Sequence, residues 1–142
     1  MTVRAILDAK GRQVASVGPD TTVTVAIKTL SDLHIGSLLV MSDGRLEGIL
    51  SERDIVRELG KRGAALLDEP VRNVMTAKVL TCTRSATISH IMEMMTNGKF
   101  RHLPVVEDGH VIGLISIGDV VKHRVMEYET EHEALTDYIK TA

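Results

Sequence analysis

One long segment occurs twice in the chain, and this duplication constrains the fold more than any other feature. Residues 14–57 align with residues 79–122 without a gap, at an offset of 65 residues. Identical residues cluster where the chain turns and where helices begin: Asp43 and Asp108, Gly44 and Gly109, Gly48 and Gly113, Ser51 and Ser116, Asp54 and Asp119. Because chance rarely produces gap-free agreement at such positions, the sequence predicts two structural repeats.

Each repeat has the pattern of a strand, a helix, two strands and a second helix, which predicts an α/β fold. The Asp-Gly pairs predict tight hairpin turns, because such turns need positive φ angles that glycine adopts readily. In repeat one the predicted elements are strands 14–17, 37–41 and 46–50 and helices 23–33 and 52–61. In repeat two they are strands 79–82, 103–106 and 111–115, a helix over 88–96 and a helix from 117 onward.

The remaining segments complete the predicted domain organisation. Residues 71–75 echo residues 3–7 at an offset of 68, so each repeat has a short lead-in. We divide the chain into repeat one with its lead-in (1–62), a connector (63–73), repeat two (74–124) and a C-terminal helix (125–142). A narrow seam at coiled-coil spacing begins at the end of repeat two and continues along that helix: Val121, Val125, Tyr128, His132, Leu135 and Ile139. The seam predicts a homodimer or another packing partner.

Composition and charge exclude several classes of protein. The net charge of −2 gives no general attraction to nucleic acid or to an anionic membrane. Cys82 is the only cysteine, which excludes an internal disulfide and a cysteine-based zinc site. We see no signal peptide and no apolar run of about 20 residues, so we expect a soluble, cytoplasmic protein. No nucleophile–base pair, phosphate loop or metal-ligand spacing is present, so we expect neither an enzyme nor a metal site.

The start of the last helix in each repeat carries a serine followed three residues later by an aspartate. Ser51 and Ser116 are predicted to cap their helices, and a helix N-terminus also suits a bound phosphate. Asp54 and Asp119 have two interpretations. Either carboxylate can accept hydrogen bonds from both hydroxyl groups of a ribose, or it can close a capping box with the preceding serine.

Arg53 distinguishes the two repeats, because the equivalent residue in repeat two is Gly118. A cation in the first turn of a helix is disfavoured by the helix dipole. A bound phosphate would offset this cost, and the alternative is a solvated surface arginine. The sequence therefore predicts two chemically unequal sites.

These features together resemble the CBS-domain family, named for cystathionine β-synthase. The resemblance rests on Gly-x-x-Ser-x-x-Asp in both repeats, on Arg101-His102-Leu103-Pro104-Val105, and on Val74-Met75-Thr76 before repeat two. It implies a Bateman module, in which two repeats pack with pseudo-two-fold symmetry around two clefts. Such clefts typically bind AMP, ADP, ATP, S-adenosylmethionine or NAD(H), and family members often dimerise.

The resemblance also implies which residues contact the ligand. It suggests that Arg101 and His102 lie near a phosphate, although His102 can equally be a packing histidine. Their equivalents in repeat one are Gly36 and Ser37, and Pro104, Val79 and Thr81 complete the implied site residues. We therefore expect a regulatory module that binds an adenine nucleotide, AMP before ATP, ADP or NAD(H), and signals energy or redox state to a partner protein. The alternative is an interaction scaffold with unoccupied clefts.

Overall fold

The computed structural model describes residues 1–141. Its elements, in chain order, are α1 (Val3–Lys10), β1 (Ser16–Val17), α2 (Val23–Leu33), β2 (Ser37–Ser42), β3 (Arg45–Ser51), α3 (Glu52–Arg62), two 3₁₀ segments (Gly63–Asp68 and Val71–Asn73), α4 (Ile88–Gly98), β4 (His102–Glu107), β5 (His110–Ser116) and α5 (Ile117–Thr141). The predicted order of the elements is confirmed in repeat one. In repeat two the predicted strand 79–82 is wrong, because only Cys82 forms a bridge, with Val105. Helix α1 was not predicted from the sequence.

The strands of repeat one form a sheet in the order β1-β2-β3. β1 runs parallel to β2, whereas β2 and β3 form an antiparallel hairpin with a register shift after Val40. The hairpin turns as predicted, since Asp43 and Gly44 have φ angles of 51° and 77°. Asp108 and Gly109 repeat these values between β4 and β5, and two successive positive φ angles are typical of a type I′ turn.

Helices α2 and α4 begin at the threonines that their sequences indicate. The hydroxyl of Thr22 accepts a hydrogen bond from the Val25 N–H at 3.3 Å, and the hydroxyl of Thr87 accepts one from the His90 N–H at 3.1 Å. Each hydroxyl thereby satisfies a backbone donor that the helix leaves unpaired. The buried face of each helix is formed by apolar residues at helical spacing: Val23, Ala26 and Leu30 on α2, and Ile88, Ile91 and Met95 on α4.

The chain divides into two compact units that exchange the lead-ins of the two repeats. The repeat-one unit comprises residues 13–80 and 108–111, and the repeat-two unit comprises 1–12, 81–107 and 112–141. The N-terminal lead-in, which forms α1, therefore belongs to the unit that holds repeat two. The predicted division at residues 62, 73 and 124 follows the sequence repeats, whereas the compact units cut across it.

Two glycines show how closely each lead-in packs. In the repeat-one unit, a Cβ atom on Gly48 would lie 2.6 Å from Met75 Sδ and 2.8 Å from the Thr76 carbonyl oxygen. In the repeat-two unit, a Cβ atom on Gly113 would lie 2.5 Å from Leu7 Cδ2. Gly48 and Gly113 are equivalent in the repeats, as are Leu7 and Met75 in the lead-ins, so the same contact forms once in each unit.

Helix α5 extends for 25 residues, and beyond its first turns it exposes apolar side chains. Val120 and His123 are buried, whereas the apolar members of the predicted seam are largely exposed: Val121, Val125, Tyr128, Leu135 and Ile139. Among the described residues, no helix is long and apolar enough to cross a membrane.

Candidate nucleotide-binding residues

In repeat one the helix start forms a closed hydrogen-bonded box. The Ser51 hydroxyl accepts a bond from the Asp54 N–H at 3.2 Å, and the Asp54 carboxylate accepts bonds from the Ser51 N–H at 2.9 Å and from its hydroxyl at 3.0 Å. The capping geometry that the sequence left open is therefore present. It does not exclude a further acceptor role, because a carboxylate has about four lone-pair sites.

The second oxygen of Asp54 is held by a residue from the same helix. Arg57 donates to Asp54 Oδ1 at 2.9 Å, and the Asp54 side chain is only 9% exposed. Arginine three residues after an acid on a helix is a favourable ion-pair spacing. Both oxygens of this carboxylate are thus engaged by neighbours in the chain.

In repeat two the same box is present, but the external cation comes from a distant segment. Asp119 Oδ2 accepts from the Ser116 N–H at 2.9 Å, and the Asp119 N–H donates to the Ser116 hydroxyl at 3.2 Å. Lys10, the last residue of α1, donates to the same Oδ2 at 2.7 Å and to the Leu114 carbonyl oxygen at 2.9 Å. The Asp119 side chain is 24% exposed, so this carboxylate is more accessible than that of Asp54.

The surroundings of Asp119 favour its charged form. Burial alone raises the pKa of this carboxyl, but the hydrogen bonds from Lys10 and Ser116 outweigh burial and hold its pKa below the ordinary value. A lowered pKa contributes stability above the unfolded-state value of about 3.9, and this contribution is lost as the pH falls through the folded-state pKa. The ion pair therefore stabilises the fold at neutral pH and not in strong acid.

We expect Lys10→Met to raise the pKa of Asp119, because the substitution removes a charged donor and leaves the burial in place. Carbon-detected NMR titration of the carboxyl groups measures this change directly. The matched control is Lys122→Met, which removes an exposed cation one turn further along α5. An equal shift in both variants would assign the effect to general charge and contradict a specific contact.

The other predicted residues lie at the strand ends beside these helix starts. In repeat one, Ser37 pairs with Ser51 across the hairpin, and the Gly36 carbonyl oxygen accepts from the Glu52 N–H at 3.0 Å. In repeat two, the Arg101 carbonyl oxygen accepts from the Ile117 N–H at 2.8 Å. Each sheet therefore brings the residues at the start of its antiparallel hairpin next to the serine that caps its last helix.

The remaining candidates differ in burial and in their unit. Pro104 is buried in β4, and its carbonyl oxygen accepts from the Cys82 N–H at 3.0 Å, which places Thr81 beside the same strand. Val79 belongs to the repeat-one unit and Thr81 to the repeat-two unit. Arg53 is exposed in the first turn of α3, and among residues 1–141 it has no ion-pair partner.

Other features of the molecule do not converge on these residues. A groove of about 600 Å³ lies between α2 and α3, but of the predicted site residues only Gly36 lines it. Within residues 1–141, no group of three or more histidine, cysteine or acidic side chains is placed to hold a metal ion. Burial raises the pKa of the Cys82 thiol to about 12, so this cysteine stays protonated and unreactive.

Two cations that engage the aspartates were missed by the sequence analysis. Arg57 was recoverable, because its spacing from Asp54 places both on one helix face. Lys10 lies 109 residues before Asp119, and no local pattern links them. The only available signal was the echo between the two lead-ins.

Comparison with known proteins agrees with the duplicated architecture. Residues 3–61 and 71–125 each match the family model of the CBS domain. A mitochondrial CBS domain-containing protein of Arabidopsis thaliana is 32% identical over 148 residues, which cover 98% of this chain and 72% of the relative. A crystal structure of a CBS-domain containing protein from Agrobacterium tumefaciens has a TM-score of 0.86 at 46% identity, and the match covers 87% of this chain and 99% of that one.

A more distant neighbour was solved with ligands. The CBS domain pair of protein MJ0100, in complex with 5′-methylthioadenosine and S-adenosyl-L-methionine, has a TM-score of 0.78 at 22% identity. The match covers 89% of this chain and 98% of that chain. At this identity the likeness shows the shared fold.

Proposed function

The chain belongs to the CBS-domain family, and from this premise we propose that it is a non-catalytic regulatory module that binds an adenine nucleotide and signals to a partner protein. The observation that carries the proposal is the acid at each helix start, held by its serine beside the end of a strand. A carboxylate in this position suits a ribose diol, and the helix N-terminus beside it suits a phosphate.

The proposed ligand is an adenosine compound, with AMP as the first candidate and ATP, ADP or NAD(H) as the others. The MJ0100 pair supports this class, because both of its ligands contain adenosine. AMP has a ribose diol, which can donate hydrogen bonds to an aspartate, and a phosphate, which Arg53 can bind. Signalling follows if the ligand prefers one of several conformations of the module, since only differential affinity shifts a population. The cytoplasmic location expected from the sequence stays a prediction.

A thermal-shift screen separates the nucleotide sensor from an interaction scaffold with unoccupied clefts. A ligand that binds the native state at 100 times its Kd stabilises it by about 2.7 kcal/mol. We expect AMP to raise the melting temperature of the full chain, and we include ADP, ATP, NADH and S-adenosylmethionine. If none of the five compounds raises it, the scaffold becomes the better proposal.

The Arg53→Ala variant tests the phosphate assignment in repeat one. The exposed guanidinium is positively charged and donates hydrogen bonds, so it suits an anionic phosphate better than the uncharged ribose. We expect calorimetric titration to show weaker AMP binding and unchanged adenosine binding, and the AMP loss to shrink at high salt. An equal loss for adenosine would mean that Arg53 supports the fold of the site instead.

The homodimer predicted from the seam of α5 is part of the same proposal. An exposed apolar stripe on a long helix needs a partner surface, and a second copy supplies one with closed symmetry. We expect sedimentation velocity to give a dimer for the full chain and a weaker association for a chain ending at Arg124. A monomeric full chain would contradict the dimer, whereas an unchanged dimer after truncation would contradict only the role of the seam.

A further inference from the structure

The contact between Lys10 and Asp119 gives repeat two a feature that repeat one lacks. In repeat one, the cation on the aspartate is Arg57, from the same helix. In repeat two, it is Lys10, which ends α1 and reaches the first turn of α5. The Lys10 side chain is 38% exposed and the Asp119 side chain 24%, so this ion pair is partly open to solvent.

A ribose at Asp119 must compete with this ammonium group. Lys10 and the Ser116 N–H both donate to Oδ2 of the carboxylate. These two bonds use both lone pairs of Oδ2, so a diol that binds both oxygens of the carboxylate displaces the Lys10 bond or weakens it. An exposed ion pair is worth little, so a ligand can displace it, but the competition still lowers the affinity for an uncharged nucleoside.

The displaced ammonium group can in turn serve the ligand. Lysine carries three donor hydrogens on a flexible stem, and only two of them are used, on Asp119 and on the Leu114 carbonyl oxygen. Repeat two also lacks an equivalent of Arg53, since Gly118 stands there. Lys10 thus supplies a flexible cation beside the first turn of α5, which carries no lysine or arginine of its own.

We propose that Lys10 is a specificity residue of the repeat-two site, which leaves Asp119 when a ribose binds and moves to a phosphate oxygen of the nucleotide. This inference rests on the proposed function and goes beyond it. It gives a role in binding to Lys10, which lies outside the two helix starts that carry the serine–aspartate pairs. An uncharged nucleoside breaks the ion pair between Lys10 and Asp119 and forms no ion pair in its place. A nucleoside phosphate breaks the same ion pair but forms a new one between its phosphate and Lys10. Lys10 therefore favours phosphorylated over unphosphorylated nucleosides.

Calorimetric titration of adenosine and AMP into the full-length wild type and the Lys10→Met variant tests both steps. Removing the competitor should tighten adenosine binding by about twofold to fivefold, the range for an exposed ion pair. Both ligands gain from that removal, so it cancels in the ratio of their dissociation constants. The adenosine-to-AMP ratio then reports the phosphate contact alone, and we expect it to fall by roughly threefold to tenfold.

Two further variants guard against indirect effects. Lys10→Arg retains a cation and should keep the wild-type ratio, whereas Lys61→Met removes an exposed cation at the end of α3 and should change neither affinity. Unchanged or weaker adenosine binding in Lys10→Met would overturn the competition, and an unchanged ratio would overturn the phosphate contact. If neither ligand binds any variant, the proposed function itself fails, which is a different result from equal binding to wild type and Lys10→Met.

Discussion

Gly48→Ala is expected to lower the stability of the protein by at least about 1–3 kcal/mol, the usual cost of overpacking a core. A methyl group there would meet Met75 Sδ at 2.6 Å and the Thr76 carbonyl oxygen at 2.8 Å. The Met75 side chain can move, but Thr76 is held by backbone hydrogen bonds with Ile49 in both directions, at 2.9 Å and 3.0 Å. The backbone contact therefore cannot relax without breaking the bridge between β3 and the lead-in of repeat two.

Urea unfolding of the full chain measures this loss. The control is Gly60→Ala, because Gly60 lies within α3 and an added Cβ atom would meet nothing within 4 Å. That variant should gain roughly 0.5–1 kcal/mol from the better helix propensity of alanine. Gly113→Ala should lose less stability than Gly48→Ala, because the nearest atoms to its added methyl group belong to the flexible side chain of Leu7. If Gly48→Ala is as stable as the wild type, the close approach of Thr76 is contradicted.

Asp119→Ala is expected to weaken the binding of AMP and adenosine alike. Losing charge-assisted hydrogen bonds to the ribose should cost about 2–3 kcal/mol, which corresponds to tens-fold to hundreds-fold weaker binding. Both ligands carry the same diol, so the dissociation constants of both should rise by the same factor. Calorimetric titration of the two ligands into the wild type and the variant gives this comparison.

Two variants separate ribose binding from helix capping. Ser116→Ala removes the hydroxyl that caps α5 but keeps the carboxylate, so adenosine binding should change little. Asp54→Ala removes a carboxylate that is only 9% exposed and that accepts hydrogen bonds from Ser51 and Arg57. Because the loss leaves these donors without their partner in a more buried place, it should lower stability more than Asp119→Ala does. Normal AMP binding by Asp119→Ala would reduce Asp119 to a capping residue.

Local patterns in the sequence predicted most of the fold. The Asp-Gly turns and the serine caps depend on residues within a few positions of one another, and each formed as expected. The predicted strand 79–82 failed because its apolar pattern does not establish a pairing partner. Leu80 is 57% exposed, and only Cys82 pairs with the sheet.

The candidate site was predicted less completely than the fold. The serine–aspartate pairs were identified from spacing, and the structure places them in capping boxes at the ends of strands. The contact of Lys10 with Asp119 depends on which unit the N-terminal lead-in joins, and the repeat pattern alone does not determine that. A contact supplied by a distant segment is therefore the part that could not be predicted from the sequence.

The exchange of lead-ins also sets the order in which the chain can be completed during synthesis. Nearly all of the repeat-one unit is contiguous, from residue 13 to residue 80, so it can form while later residues are still being added. Helix α1 is synthesised before both repeats but must wait for residues of the repeat-two unit after position 80, and docking it then closes a long loop at an entropic cost that grows only slowly with length. Any tag, cleavage or truncation at the N-terminus consequently acts on repeat two, at the far end of the sequence, before it affects the repeat that directly follows it.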